Sequence, residues 1–173
     1  MPGPFHSLVE SWKDFPAGVG WSAPDGHQGY RSFTIPLDIG GVTIGYFGLR
    51  GGCYSDAPER AVMLQLEVGS PSARTRVPLA RIDWKPMQQT HKNPVKGRAI
   101  GSSLFITGSH AHPFHLNWID DHQRMRSGNL PFAEPLHPDP IDFVALLAFA
   151  RTFFRINGIN RLPTPEWAPK MLI

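Results

Sequence analysis

At 173 residues, with 41% hydrophobic content and only 18% charged, the chain is long enough for one domain with a real core and too apolar to be disordered. A single cysteine, Cys53, excludes an internal disulfide framework and a multi-cysteine zinc site. The formal charge of +3 is modest, but seven basic residues and one acid fall between Arg74 and Arg98, a local excess that suits a phosphate-bearing partner such as RNA.

The spacing of Phe5, Leu8, Val9 and Trp12 predicts a short amphipathic helix over residues 5–13, within an N-terminal arm covering residues 1–29. Met1 to Glu10 lacks the basic and apolar regions of a secretory signal. The longest apolar run, Phe143 to Ala150, is far short of the ~20 residues that cross a bilayer. The expectation is a cytoplasmic protein with no membrane partner.

From Tyr30 the period changes to two, and residues 30–118 read as a sheet. Phe33, Ile35 and Leu37 alternate with polar residues and Pro36, which predicts a strand near an edge or an end. Gly40-Gly41 predicts a hairpin turn into a second strand, Val42 to Leu49, followed by a loop over 50–58. Glu59 to Val68 is the clearest strand, with Val62, Leu64, Leu66 and Val68 on one face and Gln65 and Glu67 on the other. In the next strand the apolar phase slips by one residue between Leu79 and Ile82. That slip predicts a bulge near Ala80 and puts Arg81 and Asp83 on the opposite face. A basic loop over 86–98 carries His91 and Asn93, and Ser102 to Ser109 reads as a further strand returning beside Arg81 to Lys85.

Residues 119–138 read as a polar loop. In the C-terminal part, 139–173, Asp139 suits an N-cap and Pro140 a first helical position, so a helix is expected over 140–156. Its nearly all-round apolar character predicts burial, and Asn157-Gly158 would end it. Strands followed by one helix indicate α+β: an antiparallel β-sheet covered by a buried C-terminal helix.

The chemistry concentrates between His91 and His122, which hold five of the eight histidines. On an extended backbone His110 and His112 project to one face, close enough to share a metal or a phosphate. Two readings are open. Without a metal, His91, His110 and His112 supply the acid and base that RNA cleavage needs, Arg81 and Lys92 contact phosphate, Asn93 assists in substrate binding, and Trp118 offers a stacking face. With a divalent metal, His110, His112 and His115 are the candidate ligands, and His91, Asp120, Asp121 or Asn117 could supply a further donor. No H-E-x-x-H motif or cysteine pair accompanies them, and no glutamate follows the pair as in cupins. A non-enzymatic interaction module of a phage or toxin–antitoxin system and a metal-binding structural domain are the alternatives from other classes.

The order Arg81-Ile82-Asp83, His91-Lys92-Asn93-Pro94, His110-Ala111-His112, Ala133-Glu134-Pro135-Leu136, and a helix ending Ile156-Asn157-Gly158-Ile159 before Pro163 resembles a family of small uncharacterised prokaryotic and phage proteins. The resemblance covers roughly residues 76–163, with the shared order R-x-D, H-x-N-P, H-x-H, helix. This chain departs by carrying Pro113 and His115 where the family tends to have an isoleucine-tyrosine strand. The resemblance implies that His91, Asn93, His110 and His112 belong to one site, with mobile-element biology as the setting. It implies no activity.

Overall fold

The Gly40-Gly41 pair turns the chain with both residues at positive φ (59° and 77°), the conformation that joins two twisted strands in register. This hairpin, β2 (Tyr30–Ile39) with β3 (Val42–Tyr54), starts the sheet in a computed structural model that describes residues 5–69, 76–96, 101–118, 125 and 127–168. Strand β3 runs on through the expected loop to Tyr54, because its glycines let an aromatic residue lie across it. A Cβ on Gly51 would strike the Phe33 ring from the facing strand.

Strands β4 (Val62–Val68) and β5 (Val77–Trp84) follow as an antiparallel meander. The bulge is present. Leu66 faces Ala80 while Glu67 faces Pro78, leaving Leu79 as the extra residue, one place before the expected position. After it, Ile82 and Trp84 turn into the core and Arg81 and Asp83 to the other face.

The next strand corrects an expectation. Phe105–Thr107 does not return beside β5; as β7 it pairs with β6 (Thr90–Lys92) in a separate two-stranded sheet. Gly108, at φ 84°, breaks the chain there, and β8 (His110–His112) takes the place beside β5. Pro113 then ends β8 and leads into the one-turn helix α2 (Phe114–Asn117), and the short β9 (Glu134–Pro135) pairs outside β8.

At the other end β1 (Lys13–Asp14) lies between β2 and β10 (Ile156–Asn157), pairing parallel with β10. The result is an eight-stranded sheet, otherwise antiparallel, in the order β10-β1-β2-β3-β4-β5-β8-β9. The fold is α+β, as the order of strands and helix predicts.

Helix α3 (Phe143–Phe154) covers one face of this sheet, burying Phe143, Leu146, Leu147, Ala150 and Phe154. It starts later than residues 139–140 suggest. Asp142 is the cap, its Oδ1 accepting from Ala145 N at 2.8 Å. Residues 140 and 141 serve β5 instead: Trp84 Nε1 donates to the Pro140 carbonyl and Lys85 Nζ to that of Ile141. The helix is also amphipathic, not buried all round, since Val144 is 72% exposed. It stops at Arg155, whose left-handed backbone (φ 54°) releases Ile156 and Asn157 into β10.

The N-terminal helix is shorter than expected, α1 (His6–Glu10), and Lys13 lies in a strand. Lys13 is fully buried, and its three ammonium donors meet the carbonyls of Val9, Ser11 and Phe154 at 2.6–2.9 Å. One side chain thus closes the end of α1 onto the end of α3.

Candidate metal centre

Antiparallel register builds the site. Asp83 faces His110, Arg81 faces His112, and Ile82 with Ala111 between them points into the core. The four polar side chains therefore share the sheet face away from α3. The small sheet brings the third histidine: His91, in the middle of β6, projects toward the pair. The ring centroids of His91, His110 and His112 are 4.9–5.2 Å apart, and one nitrogen from each ring lies within 4.8 Å of the others.

Each imidazole is held by one nitrogen. His91 Nε2 meets the Pro131 carbonyl at 3.0 Å and His110 Nδ1 that of Gly108 at 2.9 Å, so each donates N–H there and keeps a lone pair on its other nitrogen. His112 Nε2 lies 3.3 Å from Asp83 Oδ2 and 3.0 Å from Arg81 Nη2. Its Nδ1 is buried with no hydrogen-bond partner among the described residues. Arg81 can only donate, so Nε2 either accepts from Arg81, leaving the ring proton on Nδ1, or carries the N–H toward Asp83; in that second tautomer Nδ1 holds a bare, water-excluded lone pair.

The electrostatics agree. Burial pushes His112 down to about 4 against the opposing pull of the Asp83 hydrogen bond, and burial likewise lowers His110 despite the Gly108 carbonyl. Both rings are neutral at pH 7, the form that ligates metal. Burial would raise the Asp83 carboxyl, but the His112 hydrogen bond and the Arg81 charge outweigh it and hold it below its ordinary value. Arg81 Nε pairs with Asp83 Oδ2 at 2.7 Å, fixing the carboxylate beneath the histidines.

The remaining expected site residues are elsewhere. His115 is exposed on α2, turned away by the chain reversal at Pro113, so His91 takes the third position that the His110/His112/His115 set assigned to it. Lys92 follows His91 on a strand, so it points the opposite way, exposed over the Phe105 ring. Trp118 packs against Phe5, His6 and Phe114 and is a core contact, not a free stacking face beside the histidines.

Asn93 is buried and occupied: Nδ2 donates to the carbonyls of Ser103 and Ala133, and Oδ1 accepts from Ala133 N. Asn117 does the same for Phe132, exchanging both backbone bonds with it. With the His91 bond to Pro131, three side chains serve the backbone of three successive residues, 131–133. These asparagines hold the backbone beside the histidines, with the amide nitrogen and oxygen of each bonded to main chain. Of the residues expected to bind substrate, Arg81 alone stands in the site. Arg74, Arg98 and the acidic donors Asp120 and Asp121 lie outside the described residues.

Four separated motifs, around Arg81, His91, His110 and Ala133, thus meet in one place. Compared with known proteins, the chain matches no family model, no curated protein and no solved structure.

Proposed function

We propose that the chain binds one divalent metal ion, zinc foremost, through His91, His110 and His112, and uses it to hydrolyse an ester of an anionic substrate. The observation that carries this is the convergence of the three imidazoles, one nitrogen of each lying within 4.8 Å of the others, with His91 and His110 each tied to a backbone carbonyl through one ring nitrogen. Three neutral nitrogens suit zinc, whose ligation distance of ~2.0–2.1 Å asks the rings to draw together by roughly an ångström. Three protein ligands leave a fourth position for water. A bound ion would act on that water as a Lewis acid, and Asp83, adjacent and ionised, would take the proton the water loses and give it to the departing alcohol.

The metal-free reading is less well supported. It needs one imidazole protonated near neutrality, and burial opposes that at His110 and His112. Single-stranded RNA as substrate would further need the phosphate and stacking contacts that Lys92 and Trp118 were expected to supply; neither side chain faces the cluster. Convergence of the histidines at one point also favours a site over a dispersed interaction module.

Among the described residues no helix is long and apolar enough to cross a membrane. We place the protein in the cytoplasm. The buried, free Cys53, its thiol pushed up to about 11 by burial, is at home in a reducing compartment. The motif order still resembles that of the phage-associated family, and a mobile-element setting belongs to the same proposal.

Elemental analysis of untagged protein tests the centre. The expected result is about one zinc per chain, lost in His91→Ala and His112→Ala, with hydrolysis of p-nitrophenyl esters stopped by EDTA and restored by zinc. Metal-free protein that takes up no zinc at neutral pH would overturn it.

A further inference from the structure

The polar face continues beyond the histidines. Thr34, Arg50, Gln65, Arg81 and His112 are successive register partners across β2, β3, β4, β5 and β8, so their side chains form one row on the same side of the sheet. Beside this row lies a cavity of about 520 Å³ lined by Thr34, Arg50, Gln65, Arg76, Arg81 and Gly128, among others. Arg81 belongs to both the cavity and the histidine cluster.

Glu67, 3% exposed, is the carboxylate between Arg50 and Arg76, and Gln65 Nε2 also donates to it at 2.8 Å. Arg50 therefore shares this buried carboxylate with two other donors. Arg50 spends only Nε on Glu67, and Arg81 spends Nε and Nη2 on Asp83 and His112. Among the described residues both terminal nitrogens of Arg50 and Nη1 of Arg81 are left to meet a ligand, and Arg50 offers the fork geometry that phosphate oxygens accept.

The geometry points to a phosphate-binding subsite formed by Arg50 and Arg81, with Thr34 and Gln65 as neutral hydrogen-bonding neighbours. It takes the phosphate of a phosphorylated substrate whose reacting bond lies at the histidine cluster. Two strand spacings, about 10 Å, separate Arg50 from Arg81, and one more reaches His112. The substrate class is accordingly a phosphomonoester carrying a second, hydrolysable ester about that far from its phosphate. This rests on the metal-centre reading for the chemistry that follows binding, but phosphate capture itself requires no metal.

The test uses the full chain, EDTA-treated and zinc-loaded, with inorganic phosphate as probe at low ionic strength. Phosphate is expected to bind both forms, shifting the Nε–H resonances of Arg50 and Arg81 in a nitrogen-correlated NMR spectrum. Arg50→Gln should weaken binding about tenfold or more, the loss of a charge-assisted pair. Arg50→Lys keeps the charge beside Glu67 but loses the fork; it should weaken binding several-fold with an unchanged melting temperature. Unmoved arginine resonances would overturn the subsite. So would acetate competing as well as phosphate, or binding that needs zinc and vanishes in His112→Ala, which would make phosphate a metal ligand. If zinc does not bind but phosphate still shifts Arg50 and Arg81, the subsite stands and the metal centre falls.

Discussion

Asp83 Oδ2 lies 3.3 Å from His112 Nε2 although the two residues are not register partners. Asp83 stands opposite His110 and reaches diagonally, two pairs along, to the histidine opposite Arg81. The carboxylate thereby touches both histidines of β8, with His110 Nε2 at 3.6 Å, while Arg81 holds it from behind. A group in that position orients the ligand ring and raises its basicity. Asp83→Asn should lower zinc affinity about 10- to 100-fold. A competition titration with a chelator of known affinity measures this, and an affinity equal to the native protein's would show that the carboxylate serves Arg81 alone.

Stability should depend on pH through His112. Its folded value of about 4 lies below the ordinary 6.5, so between those values the unfolded chain binds the extra proton. Stability is therefore full above pH 6.5 and is lost as pH falls toward 4, by about 3 kcal/mol for this one group. His110 and Asp83, both lowered, act in the same direction. Urea unfolding of metal-free protein from pH 7.5 to 4 reads the slope, and His112→Asn should flatten it. Zinc should raise the melting temperature above pH 6.5 and lose that effect near pH 5, where protons compete for the same nitrogens.

Removing the Lys13 ammonium strands three inward-facing carbonyls at the ends of α1 and α3. Lys13→Met, which keeps the length of the side chain, should cost about 3 kcal/mol or more. The accompanying sign is faster amide exchange in α1 than in β4. Uniform exchange in the variant would mean that apolar packing alone holds α1.

The two sides of α3 give a paired prediction. Leu147→Asp puts an unpaired charge into the core and should destabilise by about 3 kcal/mol or more, whereas Val144→Asp on the exposed side should change stability by about 0.5 kcal/mol or less. Equal losses at the two positions would contradict the orientation described for the helix.

Asn117 supports the site from a distance. Replacing it with alanine removes the acceptor for Phe132 N–H and the donor for the Phe132 carbonyl, next to Ala133 and to the Pro131 carbonyl that holds His91. A loss of about 2 kcal/mol in stability is expected. Zinc affinity should fall with it, while Asn117→Asp, which keeps the acceptor, should recover part of both.

The residues that could be read from the chain are those whose role follows from local period. The phase slip before Ile82 located the bulge within one residue and correctly paired Arg81 with Asp83 on the polar face. The α+β class followed from strands preceding one strong helix. Roles decided by distant partners were hidden. Asp139 is as good a cap as Asp142 until Trp84 and Lys85 claim the carbonyls of residues 140 and 141. Gly51 reads as a loop residue until Phe33 is seen lying across it. His115 looks like a third ligand by spacing, but a proline and one helical turn send it outward. The arginine row was the largest omission. Its signal was present as charged and amide residues, Arg50, Gln65 and Glu67, in strands whose alternate residues are apolar, yet only the register lines them up with Arg81.

The parallel pairing of β1 with β10 sets the order in which the fold can be completed on the ribosome. Lys13 and Phe15 draw backbone bonds from Arg155 and Asn157, which are synthesised about 140 residues later. The meander from β2 to β5 can assemble from neighbouring sequence, but the first strand must wait, unpaired on one side, until nearly the whole described chain has emerged. Loop-closure entropy makes such a closing step slow. A nascent chain halted before residue 154 exposes the rim of its sheet and leaves the Lys13 ammonium without its partner on α3. Protease challenge of stalled nascent chains would place the onset of resistance at the release of β10.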